Sequence, residues 1–256
     1  MATSYLLMSC LFHHAGVLWA LGYPDVIPTH IAQIRQRAQD TPYDQSWALW
    51  FAASLHAQRG ERDLAHTRLD QLMPLATEHD IAALRQFGMS LLGYVLVREG
   101  RDETGLALLR QVLASHAARG PVRIVALLYL ARAYLHVHQP ADGLRVQAEA
   151  FALIVESGHH HLASELHHLK GQLLLTQATP DTSQAETCFR QALAIARHQQ
   201  AKSWELRAAT SLARLWQQQG KRQQAYDLLA PVYHWFTEGF DTADLTEARA
   251  LLDDLA

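Results

Sequence analysis

Two cysteines in 256 residues, Cys10 and Cys188, leave nothing from which to build a disulfide framework, so a reducing cytoplasm is the expected setting. Charge is scarce too. Only 18% of residues are charged, and a net charge of −3 gives no electrostatic footprint for nucleic acid. No run approaches the roughly 18 apolar residues that cross a bilayer, so no membrane partner is expected. Leu7-Met8-Ser9-Cys10 has the outline of a lipoprotein cleavage site, but no Lys or Arg precedes it and the apolar stretch is short. A first amphipathic helix is the expected form of this segment. Alternation of period two is missing over any strand length, which excludes an appreciable sheet.

Catalytic patterns are equally sparse. A phosphate loop needs glycines leading into Gly-Lys-Ser/Thr. The one Gly-Lys here, Gly220-Lys221, is followed by Arg222 and has no glycine five residues earlier, so it reads as a helix-helix turn. Sixteen histidines are many, and His161, Glu165 and His168 would share one face of a helix, yet no H-x3-H or H-E-x2-H spacing occurs. A polar helix surface is the expected role of these three. Cys188 reads as a small buried hydrophobe beside Phe189. No enzyme activity, cofactor or metal is expected.

What the chain has is a recurrence of small residues. Ala15, Ala53, Gly93, Ala131, Gly171 and Ala213 follow one another at intervals of about forty, inside apolar helix-like stretches. A second series, Ala65, Gly105, Gly143, Ala185 and Ala225, lies 12 or 14 residues after its partners. Glycine inside a helix costs roughly 1 kcal/mol against alanine, so its recurrence marks places where two backbones approach closely. Two such sites per period describe a helix-turn-helix repeat, and the fold expected is all-α, an α-solenoid.

Six helix pairs follow. First helices are expected near 4–21, 43–58, 81–98, 121–137, 161–177 and 202–218, and second helices near 25–39, 61–78, 102–117, 141–156, 181–199 and 221–237. A last helix near 242–255 serves as a cap, with Asp244, Glu247, Asp253 and Asp254 on an acidic outer face. The whole of 1–256 is then one solenoid, with repeats at 4–39, 43–78, 81–117, 121–156, 161–199 and 202–237. Gly, Pro and Asp mark the turns, and Asp25, Asp102 and Asp181 are placed to cap helices. Ala185-Glu-Thr-Cys-Phe189-Arg-Gln-Ala192-Leu193 has the A-x3-F-x2-A-L pattern of a tetratricopeptide repeat (TPR). The period exceeds the usual 34 of that motif and approaches the 40–47 of HEAT arrays, but the motif spacing favours the TPR-like form.

Several segments carry a resemblance. Glu165 through Leu175, Ala185 through Trp216 and Leu228 through Leu245 resemble the C-terminal tetratricopeptide region of large bacterial signalling ATPases. A class III adenylate/guanylate cyclase domain often precedes the ATPase in that family, and maltose-regulator-type activators carry a similar helical tail. The resemblance is strong over 160–256 and continues more weakly through 11–160, where Leu11 through Asp25 also fits. It implies a regulatory solenoid working with an ATPase or cyclase unit. It does not bring catalysis, because neither the phosphate loop nor a cyclase's metal-holding aspartates are found here; a cyclase or ATPase function would belong to missing neighbours.

Helical spacing about the small residue of each first helix gives the groove-facing positions. They include Phe12 and Trp19, then Trp47 and Trp50, then Phe87 and Tyr94, then Arg132, then Glu165, His168 and Gln172, and finally Arg207 and Arg214. The groove is therefore expected to be aromatic in its first half and polar, with three arginines, in its second. Aromatics and arginine dominate binding hot spots, and arginine grips carboxylates. The aromatics equally fit inter-repeat packing, because a shift of one residue moves them into the core. Before Asp25 the first helix carries no charge and presents Tyr5, Leu6, Leu7, Met8 and Leu11, so it is expected to dock on another domain or a second copy. The expected function is a non-catalytic interaction module whose groove binds a peptide, partner protein or effector. Small-molecule sensing is the alternative.

Overall fold

The computed structural model describes residues 2–38, 41–116 and 118–256. Among the described residues there are thirteen α-helices, one short 3-10 turn and no strand. In chain order the helices are α1 (Ala2–Ala20), α2 (Val26–Arg37), α3 (Pro42–Arg59), α4 (Arg62–Glu78), α5 (Ala82–Arg98), α6 (Asp102–Ala114) and α7 (Pro121–His136). They continue with α8 (Pro140–Ser157), α9 (Ala163–Leu175), α10 (Thr182–His198), α11 (Lys202–Gln218), α12 (Arg222–Tyr233) and α13 (Ala243–Leu255). The all-α class, with first and second helices alternating along the chain and a final single helix, is the one the small-residue recurrence implies. The chain divides into two compact units. One comprises Met1–Leu18 with Asp25–Val137, and the other Trp19–Pro24 with His138–Ala256.

Local chemistry sets the helix ends. Thr41 caps α3 by accepting the Asp44 N–H at 3.1 Å, with Pro42 in the first turn, and Gly60 ends that helix at φ 82°. Asp181 caps α10 through the Gln184 N–H at 2.9 Å. The other two expected caps differ. Asp25 precedes α2 but accepts from Arg59 Nη1 at 3.2 Å, and Asp102 is the first residue of α6, beyond the cap position. Two helices are shortened most against expectation. A 3-10 turn, His160–Leu162, precedes α9, so His161 is not on the α9 face. Helix α12 stops at Tyr233, where the chain turns and Phe236 enters the core of the second unit.

In the first unit, Ala53, Ala65, Leu69, Leu72, Leu84, Leu91 and Val95 join α3, α4 and α5 in one cluster. Met89, Val112, Val122 and Ala126 extend packing across α5, α6 and α7. The core of the second unit gathers Leu174, Phe189, Leu206, Leu212, Leu229 and Leu251 from α9 to α13. Small residues set the spacing. A Cβ on Gly93 of α5 would lie 2.8 Å from the Gly105 carbonyl oxygen, and one on Gly105 would strike the Gly93 carbonyl oxygen. On α9, a Cβ at Gly171 would lie 2.5 Å from the Phe189 ring of α10.

Within the second unit, the Trp19–Pro24 segment packs on the later helices. Tyr23 meets Trp235 at a ring separation of 5.9 Å, and Lys202 Nζ lies 5.3 Å from the Trp235 ring centre. The start of α11 is tied by Glu205, which is 4% exposed and receives Arg197 Nε at 2.8 Å and Lys202 Nζ at 2.7 Å. Burial raises the Glu205 carboxyl, but the hydrogen bonds from Lys202 and Arg197 outweigh it and hold the group below the usual carboxylate range.

Two outcomes follow from this packing. Gly105→Ala, which gains about 1 kcal/mol in helix propensity, is expected to lose about 2 kcal/mol or more net, since the added carbon meets rigid backbone; urea denaturation measures it. For Glu205, a carboxyl lowered on folding stabilises above its unfolded value, near 4.3, and loses that stabilisation as pH falls through its folded value. Acid titration of stability should therefore be shallower in Glu205→Gln below about pH 4.3 than in the wild type.

Candidate functional site

First helices carry the candidate residues in both units. In the first unit, Phe12 of α1, Trp47 and Trp50 of α3 and Phe87 of α5 form a half-buried aromatic row. Phe12 lies 5.4 Å from Trp50, Trp50 lies 4.8 Å from Phe87, and the two tryptophans meet edge-on at 5.8 Å. Tyr5 extends the row, 5.0 Å from Trp47. Such tilted and edge-on pairs suit the ring quadrupoles. Underneath, Phe51 stacks on Phe12 at 4.5 Å. The indole N–H groups of Trp47 and Trp50 have no acceptor among the described residues. An N–H kept from water without an acceptor carries a desolvation cost.

Further along, Tyr94 of α5 stacks on Tyr129 of α7 at 5.3 Å and accepts from Arg98 Nη1 at 3.1 Å. Burial lifts the Tyr129 phenol to about 12, with the Arg132 charge pulling the other way. Arg132 is half-buried on the same helix.

In the second unit the polar candidates are engaged by the chain itself. Arg207 of α11 donates from Nε to Asp244 of α13 at 2.8 Å, holds Glu165 of α9 at 3.6 Å, and lies over the Trp19 ring at 4.9 Å. Arg214 meets Glu247 at 2.6 Å, and His168 Nε2 pairs with Ser211 Oγ at 2.8 Å. Gln172 is half-buried on α9. Trp19, Glu165 and His168 are 5%, 7% and 8% exposed, so side chains of the same chain cover them and they are not open groove wall. Trp19 is fixed further by Trp204, edge-on at 6.4 Å, and by the Ser203 hydroxyl, which donates to its carbonyl at 2.5 Å.

The acidic face of α13 is exposed at Glu247, Asp253 and Asp254, and part of it is ion-paired. Asp244 and Glu247 turn toward α11, because Arg207 and Arg214 supply cations there. Cations and carboxylates that satisfy each other leave little charge for a ligand. The His161, Glu165, His168 grouping is broken up as well, with His161 in the 3-10 turn, Glu165 on Arg207 and His168 on Ser211. Among the described residues no group of three His, Cys, Asp or Glu side chains is arranged to hold a metal. No helix among them is long and apolar enough to cross a membrane.

Sequence reasoning missed Phe51, Tyr129 and Ser211 as partners. All three stand two residues before the small residue of their helix, and each reaches back to a predicted position on the first helix before it: Phe12, Tyr94 and His168. That shared offset is a signal the sequence contains.

Comparison with solved structures places the fold. A Rap protein complexed with Competence and Sporulation Factor matches with a TM-score of 0.68 at 13% identity, over 98% of this chain and 67% of that one. Bacillus thuringiensis PlcR, in complex with the peptide PapR7 and DNA, matches at 0.62 and 11% identity, over 77% and 72%. The nearly identical TPR-like repeats of a Podosopora anserina kinesin light chain match at 0.54 and 22% identity, over 73% and 93%. These likenesses establish a TPR-like helical-repeat fold. No family model matches the sequence, and no curated protein matches it.

The geometry separates the two arginines. Arg207 joins a buried carboxylate and a ring, whereas Arg214 and Glu247 are a largely exposed pair. Arg207→Gln is expected to destabilise by about 3 kcal/mol, and Arg214→Gln by less than about 0.5 kcal/mol. Chemical denaturation of both variants checks the difference.

Proposed function

We infer that this chain is a non-catalytic interaction module that binds an extended peptide or a partner's peptide segment on the first-helix face of its first unit. One observation carries the reading: the half-buried aromatic row of Phe12, Trp47, Trp50 and Phe87, in which two indole N–H groups lack acceptors. An extended peptide supplies both complements, an apolar side chain for the rings and backbone carbonyls for the indoles, whose shielded N–H groups turn outward as the rings adjust to it. Tyr94 and Arg132 lie further along the same series of first helices and would meet the peptide's polar end. The second unit contributes mainly rigidity, since Arg207, Arg214 and His168 are held internally.

The structural neighbours add support. Rap is described in complex with Competence and Sporulation Factor, and PlcR with the peptide PapR7. PlcR is also described with DNA, for which a net charge of −3 gives no basis in this chain. The resemblance of residues 160–256 to the tails of signalling ATPases supports a wider role, in which the bound state is passed to an ATPase or nucleotide-cyclase unit. Leu6, Leu7 and Val17 of α1 are exposed apolar residues, and a second copy or an adjoining domain would dock there.

The test is selection of a binder from a displayed peptide library, followed by titration against folded variants. Trp50→Ala is expected to weaken binding about thirtyfold, as loss of a hot-spot aromatic does, while Arg214→Gln leaves it unchanged. Retention by Trp50→Ala together with loss in Arg214→Gln would move the site to the second unit. Nucleotide hydrolysis by the chain alone would overturn the non-catalytic assignment. A small metabolite that raises the melting temperature where no peptide binds would favour the sensor reading.

A further inference from the structure

The helix-interior glycines of the first unit are not alike. At Gly93 and Gly105 a Cβ would strike the neighbouring helix. At Gly16, inside α1, it would meet nothing within 4 Å. Helix packing therefore does not explain why α1 carries, at this position, the residue least favourable to a helix after proline. A bare backbone also permits the close approach of a ligand.

Register places Gly16 beside the aromatic row. Tyr5 meets Tyr43 at 6.2 Å and Phe12 meets Trp50 at 5.4 Å, and in both pairs the partners stand 38 residues apart. Helices α1 and α3 thus run parallel. The same offset, one turn beyond Phe12 and Trp50, sets Gly16 opposite Ser54. Ser54 is only 7% exposed, and its hydroxyl has no hydrogen-bond partner among the described residues. A buried hydroxyl left in this way carries a desolvation cost that a ligand group removes. No bond is lost when a change of χ1 turns it toward an incoming group.

We propose that Gly16 and Ser54 form a subsite for a tyrosine-type side chain of the peptide, an aromatic body with a polar tip. This subsite rests on the peptide-binding reading above and adds selectivity to it. The incoming ring lies on the bare backbone of Gly16 and against Phe12 and Trp50, where aromatic pairs are favourable. Its hydroxyl pairs with Ser54 Oγ. Any larger side chain in place of Gly16 would occupy the same space.

The experiment measures the affinity of the whole chain for a library-selected peptide and for copies with phenylalanine or alanine at its anchoring position, together with the urea midpoint of each variant. Selected peptides are expected to share a tyrosine. The wild type should prefer it to phenylalanine about fivefold, the worth of one hydrogen bond. Ser54→Ala should erase that preference and still bind the phenylalanine copy, a difference that a merely structural serine would not produce. Gly16→Leu should weaken the tyrosine peptide about tenfold or more with an undiminished urea midpoint, since the added side chain starts in open space. Wild-type binding by Gly16→Leu, a tyrosine preference that survives Ser54→Ala, or selected peptides without a tyrosine each overturn the subsite. A lowered urea midpoint in Gly16→Leu also overturns it, because the chain itself then fills the gap. Trp50→Ala separates this failure from that of the row. If it still weakens binding, the subsite alone falls; if it does not, or if no peptide is selected, the row falls with it.

Discussion

Close approach of the first and second helices within a repeat is the constraint on which this fold depends. At Gly93 and Gly105 two helices come so near that neither position has room for a methyl group. The chain accepts the poorer helix propensity of glycine in return for that contact. Leu109 then packs against Gly93 and Val97 against Gly105, and both side chains are fully buried. The same logic operates with different atoms at Gly171, where the space is taken by the Phe189 ring. A small residue on the first helix and a large apolar one on the second are two halves of one packing device, with Gly171 against Phe189 and Gly93 against Leu109.

With the scaffold set in this way, the two units present unlike surfaces. The first unit ends its packing in aromatic rings that touch one another and still reach the surface. The second closes its surface with ion pairs and a cation–π contact, in which Arg207, paired with Glu165 and Asp244, lies over Trp19. Energetics separates the two. A ring with unmet hydrogen-bonding capacity has binding energy to offer, whereas an arginine already shared between two carboxylates must break those contacts first. The surface that looks most charged in the sequence is therefore the less available one.

Much of this was legible beforehand. The forty-residue recurrence of Ala and Gly gave the helix pairs, since glycine inside a helix marks a close approach, and no strand competes with them among the described residues. Helix ends were less legible. Asp25 has the right residue type to cap α2, yet Arg59 takes its carboxylate. Phe236 ends α12 by turning into the core, a tertiary preference that local propensity cannot register. Among the candidate site residues, helical spacing identified the face. It could not say that Asp244 and Glu247 would pair with α11, because the α13 pattern alone does not reveal that α11 supplies Arg207 and Arg214 beside them.

The central claim is that recognition occurs at the aromatic row of the first unit. The most direct measurement is a two-dimensional NMR titration of the tryptophan indole N–H resonances with a selected peptide. The account predicts downfield movement of the Trp47 and Trp50 signals as their protons gain acceptors, with the Trp204, Trp216 and Trp235 signals unmoved. Movement confined to the latter three, with Trp47 and Trp50 unchanged at saturation, would contradict it.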